Sequence, residues 1–110
     1  MVKKRRRKTI PPQISPFVWG YLVMLKKKVP IERAYLFGSW ATGKQHKWSD
    51  IDIAVVSPKF TDWFNKTRLL ARPIGSDFAD VEPHGFHPKD FKPEESAVVE
   101  EILKHGVRIM

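Results

Sequence analysis

The sequence predicts an α/β fold: a small mixed sheet of at least three strands, packed by three to four helices. Three observations carry that prediction. Short apolar runs of strand type fall at 33–37, 50–56 and 78–82. Segments with helical spacing lie before, between and after them, at about 16–28, 61–71 and 93–105. Pro30, Pro58, Pro73, Gly75 and Pro83 punctuate the boundaries.

The elements follow in order. Residues 1–14 read as a basic, disordered tail with a Pro-containing connector, and 15–110 as a single domain. Ser15 and Pro16 form an N-cap and first-turn pair. Val18, Tyr21, Leu22, Leu25 and Val29 recur at helical spacing, so a helix is expected from about 16 to 28. Lys26, Lys27 and Lys28 crowd its last turn, where cations suit the helix dipole. The first strand, 33–37, meets a tight turn at Gly38 and Ser39, then a short helix near 39–43. A polar loop, 44–49, leads to the second strand. There Ile51, Ile53 and Val55 face one way, and Asp50, Asp52, Ala54 and Val56 the other. Both faces carry apolar residues, which marks a central strand buried on both sides.

Thr61 or Asp62 can cap the next helix, whose apolar side is Trp63, Phe64, Thr67, Leu70 and Ala71. The third strand is expected over 78–82, ending at Pro83. Pro93, Glu94 and Glu95 open the last helix, and Val98, Val99, Ile102 and Leu103 form its buried stripe. Lys104, His105 and Gly106 close it, and 107–109 form an edge strand.

Composition narrows the class. A chain of 110 residues leaves no room for a second independent core. No cysteine is present, so neither disulfides nor a thiolate metal site hold the fold, as fits a reducing cytoplasm. No apolar run approaches the ~20 residues of a membrane-spanning helix. Pro11, Pro12 and Pro16 interrupt the basic N-terminus, and no small-residue cleavage site follows, which argues against a signal peptide. The net charge is +8, but residues 3–8 supply six positive charges. Without those six, 14 basic residues face 12 acidic ones and the body carries +2. The basic run reads as a solubilising segment, as a contact for nucleic-acid phosphates or an acidic partner, or as a nuclear address.

The chemistry gathers between Phe37 and Ile53. Asp50 and Asp52 are two positions apart, so on a strand both carboxylates point to one face. Such a pair suits a hard cation, and Mg2+ is the usual occupant in phosphate chemistry. Gly38 and Ser39 follow the first strand and open a helix, where backbone N–H groups can hold phosphate oxygens. A phosphate cradle beside metal carboxylates points to a nucleotide. Asp80 and Glu82 form a second pair with the same spacing.

Gly38 and Ser39, ten residues, then Asp50, Ile51 and Asp52 resemble the signature of the DNA-polymerase-β-like nucleotidyltransferase superfamily. The resemblance is nearest to its minimal, single-domain members. It implies the polymerase-β-like nucleotidyltransferase fold and Mg2+-dependent transfer of a nucleoside monophosphate, AMP from ATP, to a hydroxyl with release of pyrophosphate. Two Mg2+ ions and ATP or another nucleoside triphosphate are the implied ligands. Catalytic and metal-holding roles would fall on Asp50, Asp52 and a third acid, either Asp80 or Glu82. Asp80 has the acid type usual at that place, and an antiparallel neighbour would bring Glu82 opposite the start of the second strand. Gly38, Ser39 and Lys44 would hold the nucleotide. Minimal members often carry basic residues just after Gly-Ser. Here Trp40 and Thr42 stand there; Lys44 and Lys47 are candidates to neutralise the triphosphate in their place, or are solvated loop lysines.

The chain lacks the added domain with which larger members hold an acceptor, so a partner must bring it. In minimal members resembling this one, that partner is often an all-helical HEPN protein, in a toxin–antitoxin pair whose transferase can adenylylate a toxin tyrosine. The alternative is a catalytically degenerate module of the same fold, acting through a protein partner or nucleic acid. Zinc is disfavoured: His84 and His87 have a suitable spacing, but a structural site wants four ligands and no other Cys or His lies near. Trp40 and Trp48 flank the loop as core aromatics or as stacking surfaces for a base.

Overall fold

The structure, a computed structural model, describes residues 9–73 and 75–110. The basic run at 3–8 lies outside the described residues. The elements are helix α1 (Ser15–Lys26), strand β1 (Arg33–Phe37), the single turn α2 (Ser39–Thr42), strand β2 (Ile51–Val56), helix α3 (Trp63–Leu70), strand β3 (Val81–Phe86), helix α4 (Ala97–His105) and strand β4 (Val107–Arg108). A short 3₁₀ turn, Pro88–Asp90, lies between β3 and α4. The four strands form one sheet in the order β3-β2-β1-β4. β1 is antiparallel to β2 and β4, and β2 is parallel to β3, so the sheet is mixed.

Each face of the sheet buries its own apolar layer. On one side Val18, Tyr21, Leu22 and Leu25 of α1 pack against Leu36, Ile51, Ile53, Val55 and Val81. On the other, Val99 and Ile102 of α4 and Phe91 pack against Tyr35, Ala54 and Val56. β2 therefore alternates between two cores, as its apolar run from Ile53 to Val56 requires. Ile10 also packs against the α1 layer and Ile14 is buried, so ordered packing begins ahead of Ser15.

Several local expectations are corrected. Ile14 is the N-cap of α1; Ser15 is already helical and makes no capping bond. Lys27 caps the other end, so the helix stops short of Lys28. Pro93 does not open α4. Ser96 does, its Oγ accepting the Val99 N–H at 3.3 Å. The buried stripe of α4 narrows to Val99 and Ile102, with Val98 and Leu103 exposed. Asp62 caps α3 by accepting the Asn65 N–H at 2.8 Å, but of its apolar residues only Leu70 is buried. Trp63 and Phe64 are 68% and 80% exposed.

The largest correction is at β3. It begins at Val81 and runs through Pro83 to Phe86, not over 78–82, and it lies parallel to β2. The connection from β2 contains α3, and a helical crossover returns a chain in the same direction. Arg72 pins the preceding turn by donating to the carbonyls of Ala79 and Val81. Pro83 fits because β3 is an edge strand. The ladder runs from Ile51 N–H to the Asp80 carbonyl and on to Ser57 N–H at the Phe86 carbonyl. That places the even-numbered residues of β3 toward β2, and the nitrogen of Pro83 faces outward where no donor is needed.

Candidate active site

The site lies where β1 ends and β2 and β3 begin. Gly38 leaves β1 with φ at +74°, a conformation that strains any residue with a Cβ. Asp52 stands opposite Phe37 on one side and Glu82 on the other. Its carboxylate presses against the glycine: a Cβ at position 38 would lie 2.4 Å from Oδ2. The turn and the acid are thus one unit, and only glycine leaves room for both.

Glu82 and His84 come from β3. Two residues apart on a strand, they share the face of Asp52. His84 Nε2 lies 3.1 Å from Asp52 Oδ1 and 3.9 Å from Glu82 Oε1. Its ring meets Phe37 edge-on, with centroids 4.9 Å apart. Ligand atoms of Asp52, Glu82 and His84 all fall within 4.8 Å of one another, a spacing that one cation can bridge. Asp50, just ahead of β2 and exposed, reaches Glu82 from the same face. A hydrogen bond with the Asp50 carboxyl, partial burial and the Asp52 charge hold the Glu82 carboxyl above its ordinary value, with His84 opposing. This is a face of crowded negative charge that favours a proton or a cation. Two to three carboxylates with oxygen donors suit Mg2+, so the residues present fit that ion.

Asp80 stands apart from this group. It is exposed in the turn before β3, where its carbonyl accepts the Ile51 N–H at 2.8 Å. Of the two acids left open by the sequence, the structure brings Glu82 to Asp52. Ser39 is the first residue of α2, not its cap; Gly38 holds the cap position. The exposed Lys44 is tied to that turn by its N–H, which donates to the Ser39 carbonyl at 3.0 Å. Lys47 lies over Trp48, 5.1 Å from the ring centre. Trp40 is half-buried against the core and its Nε1 donates to the Ser49 carbonyl, so it packs inward. Trp48 is 79% exposed. Thr42 donates back to the Gly38 carbonyl.

His84 is the residue that sequence reasoning missed, paired as it was with His87. His87 instead caps the 3₁₀ turn, its Nδ1 accepting the Lys89 N–H. The available signal was the spacing of Glu82 and His84, hidden by reading Pro83 as a strand end. An open cleft of about 760 Å³ starts at His84 and runs along β3 between α3 and the start of α4, lined also by Trp63, Lys66, Leu70 and Phe86.

A family model described as nucleotidyltransferase domain matches residues 22–109. No curated protein matches the chain. Among solved structures, a candidate nucleotidyltransferase from Sulfolobus solfataricus is 19% identical, with a TM-score of 0.62 over 87% of this chain and 78% of that one. A toxin–antitoxin with AMP-PNP is 26% identical, with a TM-score of 0.54 over 81% of this chain and 69% of the other. An MntA–HpeT toxin–antitoxin mutant is 23% identical, with a TM-score of 0.52 over the same shares.

Proposed function

We infer that this chain, which belongs to the nucleotidyltransferase domain family, transfers a nucleoside monophosphate, AMP from ATP, to a hydroxyl of a partner protein in a Mg2+-dependent reaction. The observation that carries this reading is the contact of Gly38 with the Asp52 carboxylate, beside Glu82. That contact would couple a phosphate-binding turn to a cation-binding face within one corner of the sheet.

Asp50, Asp52 and Glu82 would hold Mg2+. Bound divalent cations neutralise triphosphate charge and polarise the phosphoryl oxygens. Gly38 lets the backbone approach the phosphates, and the N–H groups at the start of α2, with the Ser39 hydroxyl, donate to their oxygens. Lys44, on the loop leaving that turn, adds a positive charge. The acceptor oxygen forms a bond to the α-phosphorus as the bond to pyrophosphate breaks. Glu82, beside Asp52 on that face, is the carboxylate to which the acceptor proton would pass.

The nucleotide in one neighbour and the toxin–antitoxin character of two support a nucleotide substrate and a protein partner. We assign that partner to the all-helical HEPN class, with this chain as the antitoxin and the cytoplasm as its compartment. Among the described residues no helix is long and apolar enough to cross a membrane. The exposed Trp63 and Phe64 offer the partner an apolar surface at the rim of the cleft.

A second reading, a degenerate binding module, is favoured by one observation. Trp40 and Thr42 are engaged with the core and with the turn and supply no positive charge. Titration with each of the four nucleoside triphosphates, with and without Mg2+, separates the two. The transferase binds one triphosphate only with Mg2+ and loses it in Asp50→Asn/Asp52→Asn. A module that binds its partner regardless of Asp52→Asn and takes up no triphosphate sinks the enzymatic reading.

A further inference from the structure

We propose that His84 is a nitrogen ligand of the cation site and turns its preference from Mg2+ toward Mn2+. The proposal rests on the transferase reading of the acid face and adds a residue and a metal preference to it.

The geometry is specific. His84 Nε2 is 3.1 Å from one Asp52 oxygen and 3.9 Å from a Glu82 oxygen, so one nitrogen and two carboxylates converge. All three ligand atoms fit within 4.8 Å. The nitrogen is held there from two directions. Phe37 packs against the imidazole ring. Pro83 fixes the backbone between Glu82 and His84, so the two side chains leave β3 on one face in a set relation. His84 is only about one-third exposed, Asp52 less, and the cluster opens to solvent on the side of Glu82.

An all-oxygen site suits Mg2+, which binds imidazole poorly. An imidazole nitrogen raises affinity for first-row transition metals, and among them Mn2+ leans most toward carboxylate and phosphate oxygens. A site of two carboxylates and one imidazole therefore works with Mg2+ but binds Mn2+ more tightly. The competing role for His84 is a hydrogen-bond partner that only orients Asp52. The two differ in whether nitrogen enters the metal's coordination shell.

The test is direct metal binding by the full chain. Mn2+ is titrated and its free fraction read by electron paramagnetic resonance, bound Mn2+ is displaced with Mg2+, and pulsed spectra are searched for nitrogen coupling. The wild type is expected to bind Mn2+ at least ~10-fold more tightly than Mg2+ and to show that coupling; His84→Ala is expected to lose the coupling and most of the preference while keeping Mg2+. His84→Gln, which preserves a hydrogen bond to Asp52 but has no imidazole, should match His84→Ala. Bound Mn2+ without nitrogen coupling in the wild type, or an unchanged preference in both variants, overturns the proposal and leaves the carboxylate site standing. Equal binding by Asp52→Asn and wild type, or binding of neither ion, removes the acid-face reading itself. The coupling is read on the wild-type protein, so an unfolded variant does not blunt the test.

Discussion

Gly38 and Gly43 both adopt positive φ, yet they do different work. At Gly38 a Cβ meets the Asp52 carboxylate; at Gly43 nothing lies within 4 Å. Gly43→Ala should therefore cost only the conformational strain of the left-handed region, about 1–2 kcal/mol, and leave triphosphate binding intact. Gly38→Ala adds the displacement of Asp52, should cost more than Gly43→Ala, and should abolish Mg2+–triphosphate binding. Urea denaturation and nucleotide titration on both variants check this pair. Glu82 yields a pH dependence. Its folded carboxyl holds a proton more firmly than the ordinary value of 4.5, chiefly through Asp50. The raised value means this group's stabilising contribution is full below pH 4.5 and is lost as pH rises through the folded value. The metal-free protein should thus lose part of its resistance to urea from pH 4.5 upward, and Glu82→Gln should flatten that slope. An identical slope in the variant would assign the effect to other groups.

At the scale of elements, α3 separates pattern from burial. Its spacing is amphipathic, but Leu70 is its only buried residue, and Trp63 and Phe64 meet edge-on in solvent, with ring centres 5.5 Å apart. A periodic sequence says that one side is apolar. It does not say whether this chain or another covers it. Trp63→Ser and Phe64→Ser should each change folding stability by no more than about 0.5 kcal/mol, as exposed positions do. A loss of several kcal/mol on denaturation would show that the pair packs within the fold. β3 teaches the complementary lesson. Pro83 reads as a stop because proline cannot donate to a ladder. Whether a donor is needed depends on the neighbour, and at the outer edge of the sheet it is not. His84 joined the acid face as a consequence, a placement that no local spacing in 78–82 could supply.

Across the whole molecule, charge and fold are separable. The body carries +2 and residues 3–8 carry +6, so replacing those six with neutral residues should lower the salt at which the protein leaves a heparin column and should not change triphosphate binding. Unchanged elution would place the polyanion contact on the folded body. By itself, the sequence determined the α/β class, the central position of β2 with its two apolar faces, the Gly38 turn and the shared face of Asp50 and Asp52. Each of these rests on local periodicity or on a backbone conformation that one residue type tolerates, and such constraints act within a few neighbouring residues. Only the tertiary structure decided that β3 runs parallel to β2, that Glu82 and not Asp80 meets Asp52, that His84 completes the cluster, and that Trp63 and Phe64 stay exposed. Those outcomes depend on the direction in which the α3 crossover returns the chain and on the register it sets, and both are fixed by packing between segments about thirty residues apart in sequence.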